Sequence, residues 1–268
     1  MINSSEYIVA SSYEGTVLCL DYSGKTLWEN KLSGYYNQDI YCGDIDGDGN
    51  DEILAANSDG ALYCIDDNGK LMWSFRPTEA PMNAVSIIHS EGKPYVACGG
   101  YDTYLYYLDQ SGALVSKVAA TTYSKEKGWG VDAPKKPAHI ANFIRTVRSA
   151  EGEEVLALLG AINSMSARGS LYLFEPLATK PYKNIAYKAQ TVKGDFAIND
   201  LSEDGADRIM LGSTKDTRGG YISELDIEGA DHITFDITKL AKAESQKFGY
   251  RVAQSEVVKI GGKTKRVI

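Results

Sequence analysis

Short runs in which apolar and polar residues alternate, divided by Gly, Asp, Asn and Ser, follow one another down the chain. A period of two predicts strands, and the divisions between runs predict tight turns. One unit recurs: EGTVLCLD ending at Asp21, DGALYCID ending at Asp66 and DTYLYYLD ending at Asp109. Weaker copies are RGSLYLFE, ending at Glu175, and GGYISELD, ending at Asp226. After the first three comes a turn and a further strand, YSGKTLWEN, DNGKLMWSF and QSGALVSKV. Before each unit lies a strand that ends small or polar: EYIVASS, DEILAANS, PYVACGG, EVLALLG and DRIMLGS. One more strand completes the set, read in QDIYCGDI, NAVSIIHS, HIANFIRTV, GDFAINDL and YRVAQSEVV.

Four strands in a repeat of roughly 45 residues make the blade of a β-propeller. A lone blade leaves both faces uncovered, so neighbouring blades must stack. The predicted class is all-β: a propeller of four-stranded blades, about five of them represented, forming a single domain. The blades fall near 1–33, 38–76, 82–118, 138–190 and 193–238, and residues 247–268 start a further or closing blade. Two readings of that last segment follow. Either YRVAQSEVVKI pairs into the first blade and closes a five-bladed ring, or KRVI begins another second strand within a larger propeller. KRVI repeats the role of EYIVA, which favours the larger propeller.

Composition narrows the partners. The 268 residues include 18 Tyr, 26 Gly and only 7 Pro, which suits many short strands joined by turns. A formal net charge of −8 argues against nucleic acid or an anionic membrane surface as the main partner. An anionic polysaccharide is compatible with it, because a local basic cluster can sit on an acidic protein. No apolar stretch approaches the roughly 20 residues of a membrane span. The opening Met-Ile-Asn-Ser-Ser has no basic-then-apolar signal pattern. The chain is expected to act as a monomer. The four cysteines form no CxxC pair, and Cys19 and Cys64 hold equivalent places in apolar strands, as core thiols do.

The sharpest local motif is Asp44-Ile-Asp46-Gly-Asp48-Gly-Asn50-Asp-Glu52. Carboxylates at its first, third and fifth positions converge because Gly49 permits a sharp turn, and Asn50 and Glu52 can complete an oxygen shell of the kind Ca²⁺ takes. Strands rather than helices flank the loop, so it is no EF-hand, and the expected ion is structural. A later copy keeps Asp200, Asp204 and Asp207 but has Arg208 where Glu52 stood, so a guanidinium replaces the cation there. Asp21, Asp66 and Asp109 recur in every early repeat, as turn formers do. Trp28 and Trp73 recur likewise and read as packing between blades.

Catalytic candidates should break the repeat. The loop leading into a blade's first strand and the hairpin joining its second and third strands share one end of the sheet. At that end the chain gathers Tyr123 and Trp129 in a long excursion, then His139, Asn142 and Arg145 on one strand. Arg168 lies in a long hairpin, and Tyr250 and Arg251 open the last first strand. His89 ends a strand and His232 falls in a variable segment, so His139 alone among the histidines sits where a propeller places function.

The units with GKTLWEN and GKLMWSF resemble pyrroloquinoline-quinone-type propeller repeats, and DIDGDGNDE resembles the calcium loops of integrin-type repeats. Residues 78–190, through PYVACGGYDTYLYYLDQSG, TTYSKEKGWG, HIANFIR and GSLYLFEPLATKPY, resemble the propeller polysaccharide lyases of the ulvan lyase type. That resemblance implies cleavage beside a uronic acid by β-elimination, in a secreted or periplasmic enzyme. It casts His139 and Tyr250 in proton transfer, with Arg266 or Arg251 neutralising the substrate carboxylate. Arg145, Asn142, Trp129, Tyr123 and Arg168 would bind the sugar. The competing expectation is a propeller that binds glycans or assembles proteins without catalysis.

Overall fold

A computed structural model describes residues 7–123, 139–162, 169–187, 197–199, 204–214, 220–236, 256–260 and 263–267. The strands are β1 (Ile8–Ser11), β2 (Val17–Leu20), β3 (Thr26–Asn30), β4 (Asn37–Gly43), β5 (Glu52–Asn57), β6 (Leu62–Ile65) and β7 (Leu71–Phe75). Next come β8 (Met82–Ser90), β9 (Lys93–Gly100), β10 (Tyr104–Leu108) and β11 (Leu114–Ala119), then one helical turn, α1 (Ala120–Tyr123). The rest are β12 (His139–Arg148), β13 (Glu154–Ile162), β14 (Gly169–Phe174), β15 (Lys183–Tyr187), β16 (Ala197–Asn199), β17 (Arg208–Thr214), β18 (Gly220–Leu225), β19 (Asp231–Asp236), β20 (Glu256–Ile260) and β21 (Lys263–Val267). They form antiparallel sheets in simple sequence order: β1–β3, β4–β7, β8–β11, β12–β15, β16–β19 and β20–β21. This is the blade pattern of a β-propeller.

The chain divides into two compact units, Met1–Tyr123 with Ile140–Ile144, and Ser124–His139 with Arg145–Ile268. In the first unit, burial follows strand position. Every residue of β5 is buried, whereas the outer strands β3 and β7 leave most of their residues exposed. β5 is buried on both faces because alternate side chains serve different neighbours. Ile53 and Ala55 join Val17, Cys19 and Ile65 in one cluster, while Leu54 and Ala56 join Met82, Val85, Cys98 and Leu108 in another. Cys19, Cys64 and Cys98 are buried, free thiols, as their apolar strands imply.

The repeat-ending aspartates form turns. Asp109 accepts the amides of Ser111 at 2.9 Å and Ala113 at 3.0 Å, and Asp66 accepts those of Asn68 at 3.0 Å and Lys70 at 2.7 Å. The hydroxyl of Ser111 also donates to Asp109, and this bond, first among several, holds the carboxyl below its ordinary range. The strand before the turn carries a register shift at the same place in four sheets: Cys19/Leu20, Cys64/Ile65, Tyr107/Leu108 and Glu224/Leu225. Such a bulge bends the strand into the turn. Neighbouring blades are then tied together through these turns. Trp28 donates its indole N–H to the Asp67 carbonyl at 2.9 Å, and Trp73 does the same to Gln110 at 3.0 Å. In the second unit the Tyr182 hydroxyl takes over this role, donating to the Ile227 carbonyl at 2.6 Å.

Candidate functional site

The acidic loop joins β4 to β5. Ile45 is buried in the core beside Leu54, and its amide donates to Glu52 Oε2 at 2.9 Å, which pins the loop at both ends. Between these anchors the chain turns on its own carboxylates. Asp44 accepts the amides of Gly47 at 2.7 Å and Gly49 at 3.1 Å; Asp46 accepts that of Asp48 at 3.1 Å, and Asp48 that of Asn50 at 2.8 Å. One oxygen from each of Asp44, Asp46 and Asp48 lies within 4.8 Å of the others. Carboxylate oxygens gathered this closely are the ligand type that Ca²⁺ takes. The donor set therefore fits calcium. Glu52 is almost wholly buried, and burial pushes its carboxyl up to about 7, against the pull of the Ile45 amide.

The second loop behaves differently. Asp200 lies outside the described residues. Arg208 donates to Asp204 Oδ2 at 2.9 Å and to the Ala206 carbonyl at 3.0 Å, so its guanidinium pairs with a carboxylate of its own loop. Beside it, a cavity of about 280 Å³ opens between the turns carrying Arg148, Asp207 and Glu228. Its arginines are engaged with carboxylates, Arg148 with Glu154 and Arg208 with Asp204, each at 2.9 Å.

His139 begins β12 and is 1 % exposed. Its Nδ1 lies 3.0 Å from the Tyr172 hydroxyl, and the two rings tilt at 56° with centroids 5.8 Å apart. Gly160 backs onto the imidazole so closely that a Cβ there would sit 2.9 Å from Nδ1. A position that the repeat places at a strand opening is thus enclosed by β13 and β14. Asn142 and Arg145 are half-buried on the same strand. Their odd spacing sends them to opposite faces of a regular strand. Tyr123 is the last residue of α1, and Arg266 lies in β21 opposite Val257. Trp129, Arg168, Tyr250 and Arg251 lie outside the described residues.

Two hairpin devices went unread in the sequence. Tyr63 donates its hydroxyl to Asp59 and Tyr106 donates to Asp102, each at 2.6 Å. Arg76 also pairs with Asp59, at 3.1 Å. The signal was an Asp four residues before a Tyr in successive repeats. Burial, then the bond to Asp59, raises the Tyr63 hydroxyl above its ordinary value.

Residues 7–268 match the lambda-carrageenase beta-propeller domain family. The chain belongs to that family. It is 40% identical over 259 residues to a lambda-carrageenase of Pseudoalteromonas carrageenovora, and 39% identical over 259 residues to one from another Pseudoalteromonas. Each alignment covers 96% of this chain and 27% of the relative, so the chain spans about a quarter of the length of the curated relatives it matches. Among solved structures, the Saccharomyces cerevisiae protein Sqt1 is similar with a TM-score of 0.62 at 11% identity, covering 98% of this chain and 65% of that one. The WD40 domain of Neurospora crassa Pan2 gives 0.60 at 12%, covering 94% and 66%. A quinohemoprotein alcohol dehydrogenase of Pseudomonas putida gives 0.58 at 12%, covering 86% and 40%. These likenesses concern the fold alone.

The family corrects the expected chemistry. The relatives are lambda-carrageenases, which are polysaccharide hydrolases, and this overturns both the ulvan-lyase assignment and the elimination reaction. The alternative of a propeller that only binds gains no support either. With elimination goes the reason for casting His139 and Tyr250 as its proton-transfer pair, and Arg251 or Arg266 as the groups that acidify a uronic proton. The propeller architecture and the polysaccharide-degrading kinship stand.

Proposed function

We propose that this chain is the propeller part of a glycoside hydrolase that cuts a carrageenan-type sulfated galactan. The single observation that carries the reading is the 40% identity to a lambda-carrageenase across 96% of the chain. Chemistry supports it. A carrageenan carries its charge as sulfate esters, so no carboxylate sits beside a ring proton to make it acidic, and water attack at the anomeric carbon is the route that remains. The polymer is too large to cross a membrane, which places the reaction outside the cytoplasm. Asn142 and Arg145 remain candidates for substrate contact, and the guanidinium of Arg145 suits a sulfate.

In the same reading Asp44, Asp46 and Asp48 hold a structural Ca²⁺. The ion would neutralise three carboxylates that otherwise repel one another, and it would supply rigidity to the β4–β5 loop rather than a reaction step.

The test exchanges propellers. Residues 7–268 replace the corresponding segment of the Pseudoalteromonas carrageenovora relative, and the chimera is incubated with lambda-carrageenan. Release of reducing ends with no rise in the ultraviolet absorbance of unsaturated sugars is expected. A folded chimera that releases none, or one whose products are unsaturated, refutes the proposal.

A further inference from the structure

Three tyrosines stand exposed on adjoining loops of the first two blades: Tyr13 at 84%, Tyr35 at 59% and Tyr36 at 40%. Tyr13 lies in the β1–β2 hairpin, and Tyr35 and Tyr36 lead into β4. The rings of Tyr13 and Tyr36 are parallel within 1°, with centroids 5.7 Å apart. Isolated exposed aromatics need no explanation, but an aligned pair kept in water invites one.

The arrangement is built rather than fortuitous. Asn57, fully buried, donates to the Tyr35 carbonyl and to Asn37 Oδ1 at 2.6 and 2.7 Å. Asn37 in turn donates to Ser11 Oγ at 2.8 Å and to the Gly15 carbonyl at 3.2 Å. This chain of amides clamps the hairpin of the first blade to the loop before β4. Gly15 completes the clamp: it has φ +78°, and a Cβ there would lie only 1.8 Å from the Tyr35 carbonyl oxygen. Tyr36 is fixed further by Gln38, whose amide donates to its hydroxyl at 2.8 Å and to Ser58 Oγ at 3.1 Å. The two loops and the Tyr36 ring therefore have little freedom left to lose when a ligand arrives.

We propose that Tyr13 and Tyr36 form a stacking subsite for a pyranose ring of the galactan backbone, an inference that rests on the carrageenase reading. The axial C–H bonds on one face of a galactose ring make a flat apolar surface that lies on an aromatic face. Parallel tyrosines present that surface at one tilt, so a sugar chain crossing them keeps its orientation. The surroundings favour a sugar over a protein partner. The segments are SSYEGT, SGYYNQ and NSD, which bring hydroxyls and amides but no Leu, Ile, Val or Met of the kind a protein interface buries at its centre. Of the two acidic residues in these segments Asp59 is buried and paired with Arg76, which leaves Glu14 as their exposed charge, so the subsite reads the ring and not its sulfates.

The test is native electrophoresis of the 268-residue chain through gels cast with lambda-carrageenan or with a neutral galactan. Both polymers should retard the wild type. Tyr13→Ala and Tyr36→Ala should each weaken retardation about fivefold, with unchanged melting temperatures, while Tyr13→Phe keeps it. Tyr22→Ala, 69% exposed in a turn elsewhere on the first blade, serves as the unaffected control. Retardation by neither polymer, or by the sulfated one alone, overturns the subsite, as does equal mobility of wild type and alanine variants. Tyrosine-dependent retardation by the neutral galactan alone would keep the subsite and remove the carrageenan reading.

Discussion

Gly69 offers the cleanest test of how blades are joined. It sits at φ +84° in the turn after Asp66, and a Cβ there would lie 2.6 Å from the Trp28 ring of the preceding blade. Gly24 occupies the same turn position in the first blade at φ +83°, with nothing among the described residues within 4 Å of such a Cβ. Gly24→Ala therefore costs only the left-handed backbone, about 1 kcal/mol. Gly69→Ala adds overpacking against an indole held by its bond to Asp67, about 2 kcal/mol more, for about 3 in all. Trp28→Ala loses that hydrogen bond, about 1 kcal/mol, and half-buried ring packing, about 2. In the double variant the clash is gone, so the sum should fall short of additivity by about 2 kcal/mol. Urea unfolding of the four proteins of this cycle and of Gly24→Ala, followed by far-ultraviolet circular dichroism, measures each quantity. The reasoning fails if Gly69→Ala costs no more than Gly24→Ala, or if the cycle is additive within about 0.5 kcal/mol.

Three further outcomes are expected. Chelation should lower the melting temperature of the wild type, and Asp46→Ala should abolish that sensitivity; a variant still destabilised by chelator would place the ion elsewhere. Tyr63→Phe should cost about 2 kcal/mol, because the buried Asp59 carboxylate loses a hydroxyl donor, and a change under about 0.5 kcal/mol in urea unfolding would contradict this. Tyr172→Phe, which removes the hydroxyl beside His139 Nδ1, should destabilise by a similar amount in the same assay, and an unchanged unfolding midpoint would show that bond to be idle.

The blades were legible because their signals are local. An alternating run and an Asp-x-x-Gly turn declare a hairpin within a dozen or so residues, and Trp28 and Trp73 declared their role by recurring. The clamp running from Asn57 through Asn37 to Ser11 and Gly15 could not be read, since it ties the second blade to the first and that meeting depends on the packed fold. His139 shows the same limit: its place in the repeat suggested a mouth, while Tyr172 and Gly160, contributed by later strands, enclose it. The reaction misled for a chemical reason. Cations, a His and a Tyr near a polyanion suit elimination and hydrolysis alike, because both need proton transfer beside negative charge. In the acidic loop the carboxylates of Asp44, Asp46 and Asp48 do gather as their spacing implies, because sequence neighbours in a tight turn have few other places to go.

The central claim is hydrolysis, and oxygen isotope incorporation tests it most directly. The chimera carrying residues 7–268 is supplied with lambda-carrageenan in heavy-oxygen water, and the oligosaccharides are weighed by mass spectrometry as soon as they form, before the label exchanges. Each new reducing end should carry one heavy oxygen, and no product should be lighter by a water. Unlabelled products with unsaturated ends would contradict the account.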